Sequence, residues 1–206
     1  DPYFSAVQMR EAEGGAAPAA KTTLAKRNAV DAALLAELPR LPDTRAEVLA
    51  MAQALGVDPQ RNVFLGAAAN EKNVKTSDLA NYRILAFATH GLVPGELDGL
   101  VQPALALSAP DVSGVGGDGL LTVDEILGLK LDADWVVLSA CNTASSNAAG
   151  EEPLSGRVRA FFYAGARAVL GLSGAEPLLR ALRGARFLRR DSSLPDALSS
   201  SLAFAL

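Results

Sequence analysis

Two apolar runs constrain this chain more than any other feature. LAFATHGLV (85–93) and WVVLSACNT (135–143) each stay apolar for most of a strand length and then end on small polar residues. A strand with one wet face alternates apolar and polar side chains, whereas a strand covered on both faces is apolar throughout. The runs therefore predict buried strands of a parallel sheet with helices packed on either side, an α/β sandwich.

The rest of the sequence fits that frame. EAEGGAAPAAKT (11–22) is small, Gly/Ala-rich and unpatterned, and is expected to be a mobile loop. NAVDAALLAELPRLPDT (28–44) reads as a short helix stopped by Pro39 and Pro42. Asp43 or Thr44 is placed to cap a second helix, with Val48, Leu49, Ala52 and Leu55 on its apolar face and Gly56 at its C-terminal end. RNVFLGAAA (61–69) reads as a strand leading into a loop, and PALALSA (103–109) as a further buried strand. LLTVDEILGL (120–129) is a short helix in which Thr122 and Glu125 fit a capping box. PLSGRVRAFFYAGA (153–166) is an amphipathic helix ending near Gly165, and RAVLGLS (167–173) another strand. The remainder, through LPDALSSSLAFAL (194–206), reads as helical. The whole is expected to form one domain. A first residue of Asp rather than Met suggests a piece of a longer protein.

Composition excludes several classes. No apolar run approaches the roughly 20 residues of a membrane-spanning helix. A net charge of −4 and 5% aromatic residues leave neither a basic stripe nor a stacking platform for nucleic acid. The basic run RALRGARFLRR (180–190) reads as the solvated face of a helix. One cysteine allows no disulfide within the chain and no cysteine-based zinc site, which suits a reducing compartment. The N-terminal residues lack a basic stretch followed by an apolar one, so no secretory signal is visible.

Gly114, Gly116 and Gly119 spell G-x-G-x-x-G within SGVGGDG (113–119). A dinucleotide site needs that pattern at a tight strand-to-helix turn, with an acidic residue about 20 positions on. Here a loop intervenes after the apolar run, and position 139 is a serine. The glycines read as a flexible surface loop.

The two apolar runs hold the singular residues of the chain. His90 is the only histidine and Cys141 the only cysteine, and each leaves the carboxyl end of a predicted strand, where α/β sheets gather functional groups. They lie 141 − 90 = 51 residues apart, ample for the crossover that joins parallel neighbours. An imidazole beside a thiol takes its proton, leaves the nucleophilic thiolate, and later protonates a leaving amine. Gly91, lacking a Cβ, lets its N–H approach a carbonyl oxygen that is becoming negative, alongside the N–H of Cys141. Together these make a candidate oxyanion hole. The simpler reading is that a lone cysteine is an inert small hydrophobe and a lone histidine structural.

ATHG (88–91), DGLLTVDEILGLKLDADWVVLSACNT (118–143), Gly150-Glu151, Gly156 and RAFFYAGARAV (159–169) together resemble the CHAT-domain family, caspase-like cysteine peptidases related to separases and caspases. Weaker likeness covers LPDTRAEVLAMAQALGV (41–57) and LRRDSSLPDAL (188–198). The resemblance implies a caspase-like three-layer sandwich that cleaves peptide bonds, with His90 as base, Cys141 as nucleophile and no metal or organic cofactor. It also implies a bacterial, cytoplasmic protein acting on a protein or peptide substrate, regulated by attached helical repeats or an activating protein. Neither nucleic acid nor membrane is an expected direct partner.

The chain departs from the family in two places. Members usually carry a tryptophan-containing segment after the strand matched by RAVLGLS, where this sequence passes to GAEPLLRAL (174–182). Members often have leucine where Arg157 stands. The first departure motivates an alternative from another class, a catalytically silent regulatory binding module with the same fold. A redox-sensing thiol is a third reading, weakened by the lack of a resolving cysteine. For substrate choice, Glu96, Asp98, Glu151 and Glu152 are candidate lining for a basic side chain, against the plainer reading of wet loop carboxylates. Glu151 and Asn142 are also candidates to brace the loop after Cys141.

Overall fold

The computed structural model of the protein describes residues 34–35, 37–39, 41–139, 155–172, 180 and 201–205. Among these the strands are β1 (Val63–Leu65), β2 (Ile84–Ala88), β3 (Gly91–Leu92), β4 (Ala104–Ala106), β5 (Leu120–Thr122), β6 (Trp135–Ser139), β7 (Val169–Leu172) and β8 (Ser201–Ala205). The α-helices are α1 (Thr44–Leu55), α2 (Pro59–Asn62), α3 (Glu71–Thr76), α4 (Pro110–Ser113), α5 (Val123–Leu127) and α6 (Ser155–Ala164).

The two apolar runs become β2 and β6, and they are neighbours. A five-stranded sheet has the order β1-β8-β2-β6-β7, and every described pairing in it is parallel. Its two faces differ in side-chain size. Ile84, Ala86, Ala88, Val137, Ala203 and Ala205 lie under Val48, Met51, Ala52 and Leu55 of α1. The mostly small strand residues let this helix sit close. On the opposite face Leu85, Phe87, Val136, Leu138, Leu202 and Phe204 pack with Val74 of α3, Ile126 of α5 and Phe161 of α6. Phe204 stacks between Phe64 and Phe87, with centroid separations of 4.9 and 5.4 Å. Helices on both faces of a parallel sheet make the α/β sandwich, and explain why its strands are apolar without alternation.

Several expectations need correction. PALALSA does form a strand, β4, but in a separate antiparallel sheet of order β3-β4-β5. LLT, expected at the start of a helix, is the third strand of that sheet. Helix α5 then begins at Val123 with the full capping box of Thr122 and Glu125. The largest correction is at the C-terminus. Ser201–Ala205 is not helical but a strand, inserted between β1 and β2. A run this short, SLAFA, carries too few residues to distinguish the two periods. Its alternation of Leu202 and Phe204 with Ala203 and Ala205 matches the two unequal faces of the sheet. In α1, Met51 is buried and Leu49 only half-buried. Asp43 occupies the N-cap position without a side-chain hydrogen bond to the helix, Thr44 donates its hydroxyl to Leu41 O at 2.7 Å, and Gly56 closes the helix at φ 72°.

The glycine-rich loop is pinned rather than free. Glu71, 6% exposed, accepts the backbone N–H groups of Asp118 and Gly119 on its Oε1, both at 2.7 Å. A Cβ on Gly117 would lie 2.2 Å from that same oxygen. The glycines therefore let a backbone close around an anion, as phosphate loops do, but the anion is a carboxylate of the chain itself. Lys75 bridges Glu71 and Glu125 on the other side. Asp118 accepts Leu120 N–H at 2.9 Å. Burial, together with the nearby Glu71 and Glu125 carboxylates, raises its pKa to about 6 even though that bond opposes the shift. The expected loop at 11–22 and the basic run beyond Arg180 lie outside the described residues.

Candidate functional site

ATHG is the joint between the two sheets. Thr89 N–H still bonds to the large sheet, donating to Ser139 O at 3.1 Å. Its hydroxyl already bonds to the small sheet, donating to Ala106 O. One residue later His90 O accepts Ala106 N–H at 2.9 Å, and Gly91 opens β3 opposite Leu105. A threonine able to bond both ways, then a residue whose side chain leaves the junction, then a glycine, is what such a switch needs. His90 thus stands half-buried at the carboxyl end of the central strand.

The imidazole is held by a group that sequence reading missed. Its Nε2 lies 2.7 Å from the carbonyl oxygen of Pro39. A carbonyl only accepts, so Nε2 carries the proton, and in the neutral ring the lone pair sits on Nδ1. A cavity opens on either side of this contact. The larger, about 530 Å³, is lined by the strand ends Leu65, Ala106 and Ala205, by Leu38, Leu41 and Val112, and by Arg45 and His90. The smaller, about 240 Å³, is lined by Leu38, Pro39, His90, Gly91, Leu92, Glu96 and Leu97. Pro39 belongs to LPRLP, which the sequence marked only as a helix stop. A backbone carbonyl has no residue-type signature, so no pattern announced it.

The neighbouring strand end carries a second polar contact. Ser139 is fully buried and donates its hydroxyl to Glu47 Oε1 at 2.5 Å. Burial raises the pKa of Glu47, with the nearby Asp43 adding to the effect and the Ser139 bond opposing it. Pairing of β2 with β6 runs from Ile84 opposite Trp135 to Ala88 opposite Ser139. That offset equals the sequence offset between His90 and Cys141. Cys141, Asn142, Glu151 and Glu152 themselves lie outside the described residues.

The other candidates fall as follows. Gly91 is buried in β3 and lines the smaller cavity. Glu96 also lines it, with its Oε2 accepting Val93 N–H at 2.7 Å. Asp98 is exposed and lines neither cavity. Arg157, in the first turn of α6, is fully buried and donates from Nη1 to Leu92 O at 2.5 Å and Ala104 O at 3.3 Å. It fastens the helix that follows residues 140–154 to the hairpin that follows His90. Among the described residues no group of three or more His, Cys, Asp or Glu side chains could hold a metal, and no helix is long and apolar enough to cross a membrane.

A parallel α/β sandwich with a lone histidine leaving its central strand, between two cavities, has the caspase-like architecture. The model of the CHAT domain matches residues 3 to 173, most of the chain, and the chain belongs to that family. CHAT domains are related to caspase-like cysteine peptidases. No curated protein and no solved structure matches the chain.

Proposed function

We propose that this protein is a cysteine endopeptidase in which Cys141 is the nucleophile and His90 the general base. The observation that carries this reading is the register of β2 with β6. His90 and Cys141 stand two positions beyond the last described pair, Ala88 opposite Ser139, and keep the same sequence offset, which supports a meeting of the two side chains. Adjacent parallel strands lie about 4.8 Å apart, so side chains leaving equivalent positions are within reach of one another. Family membership supports the same pair, as does the Pro39 carbonyl, which leaves Nδ1 of His90 as the basic nitrogen.

The chemistry then runs as follows. Nδ1 takes the thiol proton, and the sulfur attacks the scissile carbonyl carbon. The resulting oxyanion is met by the N–H groups of Gly91 and Cys141, each such donor worth about 2.7–4 kcal/mol of barrier lowering. Collapse breaks the C–N bond as the imidazolium returns its proton to the departing amine. Water, deprotonated by His90, then hydrolyses the thioester. The Pro39 carbonyl steadies the imidazolium in both steps. Substrate is a protein or peptide, and an activating protein or attached helical repeats regulate access.

The test is digestion of a peptide library by the wild type and by Cys141→Ala and His90→Ala, with folding checked by circular dichroism. Each substitution is expected to lower cleavage by at least about a thousandfold, the scale of a lost member of such a unit. Cleavage unchanged in either variant removes that residue from the mechanism.

A further inference from the structure

The two cavities beside His90 carry opposite charges. Arg45 is the one formally charged side chain lining the larger cavity among the described residues, and most of the other lining is apolar. It is exposed, and no carboxylate pairs with it among the described residues. Glu96 is the one charged side chain lining the smaller cavity among the described residues. Its Oε2 accepts the Val93 N–H, a neutral donor, and no cation pairs with it among the described residues. His90 and the Leu38–Pro39 segment border both cavities, so a chain crossing the imidazole meets a cation on one side and an anion on the other.

We propose that these two cavities together select a peptide by charge polarity. The Arg45 side takes a bulky apolar residue accompanied by an acidic one, and the Glu96 side a basic residue. Volume supports the pairing on the first side. About 530 Å³ exceeds what a single leucine or phenylalanine side chain fills, which leaves room for an apolar anchor with a carboxylate neighbour at Arg45. Disfavoured are two acidic flanks, two basic flanks, and the reverse polarity, each of which sets like charges together. The selectivity rests on His90 and Cys141 marking the reaction centre, as proposed above, yet it is a binding property and is readable without turnover.

The experiment therefore uses the intact Cys141→Ala protein and two fluorescent peptides of identical composition. Both carry a central leucine, with an acidic and a basic flank in opposite orders. Fluorescence anisotropy should show one peptide binding about three- to tenfold tighter, the scale of one or two exposed ion pairs, with the difference shrinking as salt rises. Replacing its leucine by alanine should weaken binding by roughly tenfold or more. Arg45→Gln and Glu96→Gln, the latter keeping the acceptor for Val93 N–H, should together erase the discrimination. Arg45→Glu combined with Glu96→Lys should reverse it. Equal binding of the two peptides, no binding of either, or discrimination untouched by these substitutions overturns the polarity. Cleavage unchanged by Cys141→Ala or His90→Ala in the library experiment, with polarity intact here, instead overturns the proposed chemistry alone.

Discussion

A ring nitrogen that donates to a carbonyl has its proton fixed, and this single bond decides that the lone pair of the neutral His90 ring sits on Nδ1. The same economy holds at Ser139, whose buried hydroxyl spends its proton on Glu47. Replacing Glu47 by alanine leaves that hydroxyl without its acceptor and should cost about 1–3 kcal/mol. Glu47→Gln keeps an acceptor and should cost clearly less; urea unfolding midpoints measure both. Equal losses would mean that the bond contributes nothing. His90 and Cys141 stood out in the sequence as candidates because each is unique and each ends an apolar run. Pro39 and Glu47 were not. The first acts through its backbone, and the second meets a serine 92 positions away.

Among the elements, β8 and the glycine loop carry the sharpest consequences. Phe204 is fully buried between two aromatic rings on a strand that the sequence had suggested was helical. Phe204→Ala should destabilise the fold by about 3–5 kcal/mol, whereas Tyr163→Ala, at an 83% exposed position, should stay within about 0.5 kcal/mol. A small loss at Phe204, read from denaturant midpoints, would contradict its place in the sheet. The loop around Glu71 predicts a pH dependence. The carboxyl of Asp118 rises from 3.8 to about 6 on folding, so the native state holds its proton more tightly than the unfolded chain. Its contribution is therefore complete below about pH 4 and is lost as pH rises through about 6. Asp118→Asn should remove that part of the decline, making the variant relatively more stable at neutral pH. A wild-type minus variant difference that is flat from pH 4 to 7 would refute the assignment. Sequence reading found the glycines but not their partner, because the anion that they enclose comes from α3, far back in the chain.

For the whole molecule, strand existence was legible and strand order was not. Apolar runs announced β2, β6 and β7, and their lack of alternation announced a sheet covered on both sides. Nothing local shows that the last described strand slots between β1 and β2, or that β3, β4 and β5 form a sheet of their own. Those arrangements are settled by long-range fit, Ala against α1 on one face and Leu and Phe against α3, α5 and α6 on the other. The central claim is itself long-range: two residues that the sequence sets far apart share one edge of the large sheet. Because Cys141 is the only thiol, its alkylation rate reports on that claim directly. Iodoacetamide labelling, followed by intact mass from about pH 5.5 to 8.5, should be at least tenfold faster in the wild type than in His90→Ala near pH 6.5, where only a paired imidazole keeps the thiolate populated. Identical rate profiles for the two proteins, with the ordinary thiol midpoint near 8.5 in both, would contradict it.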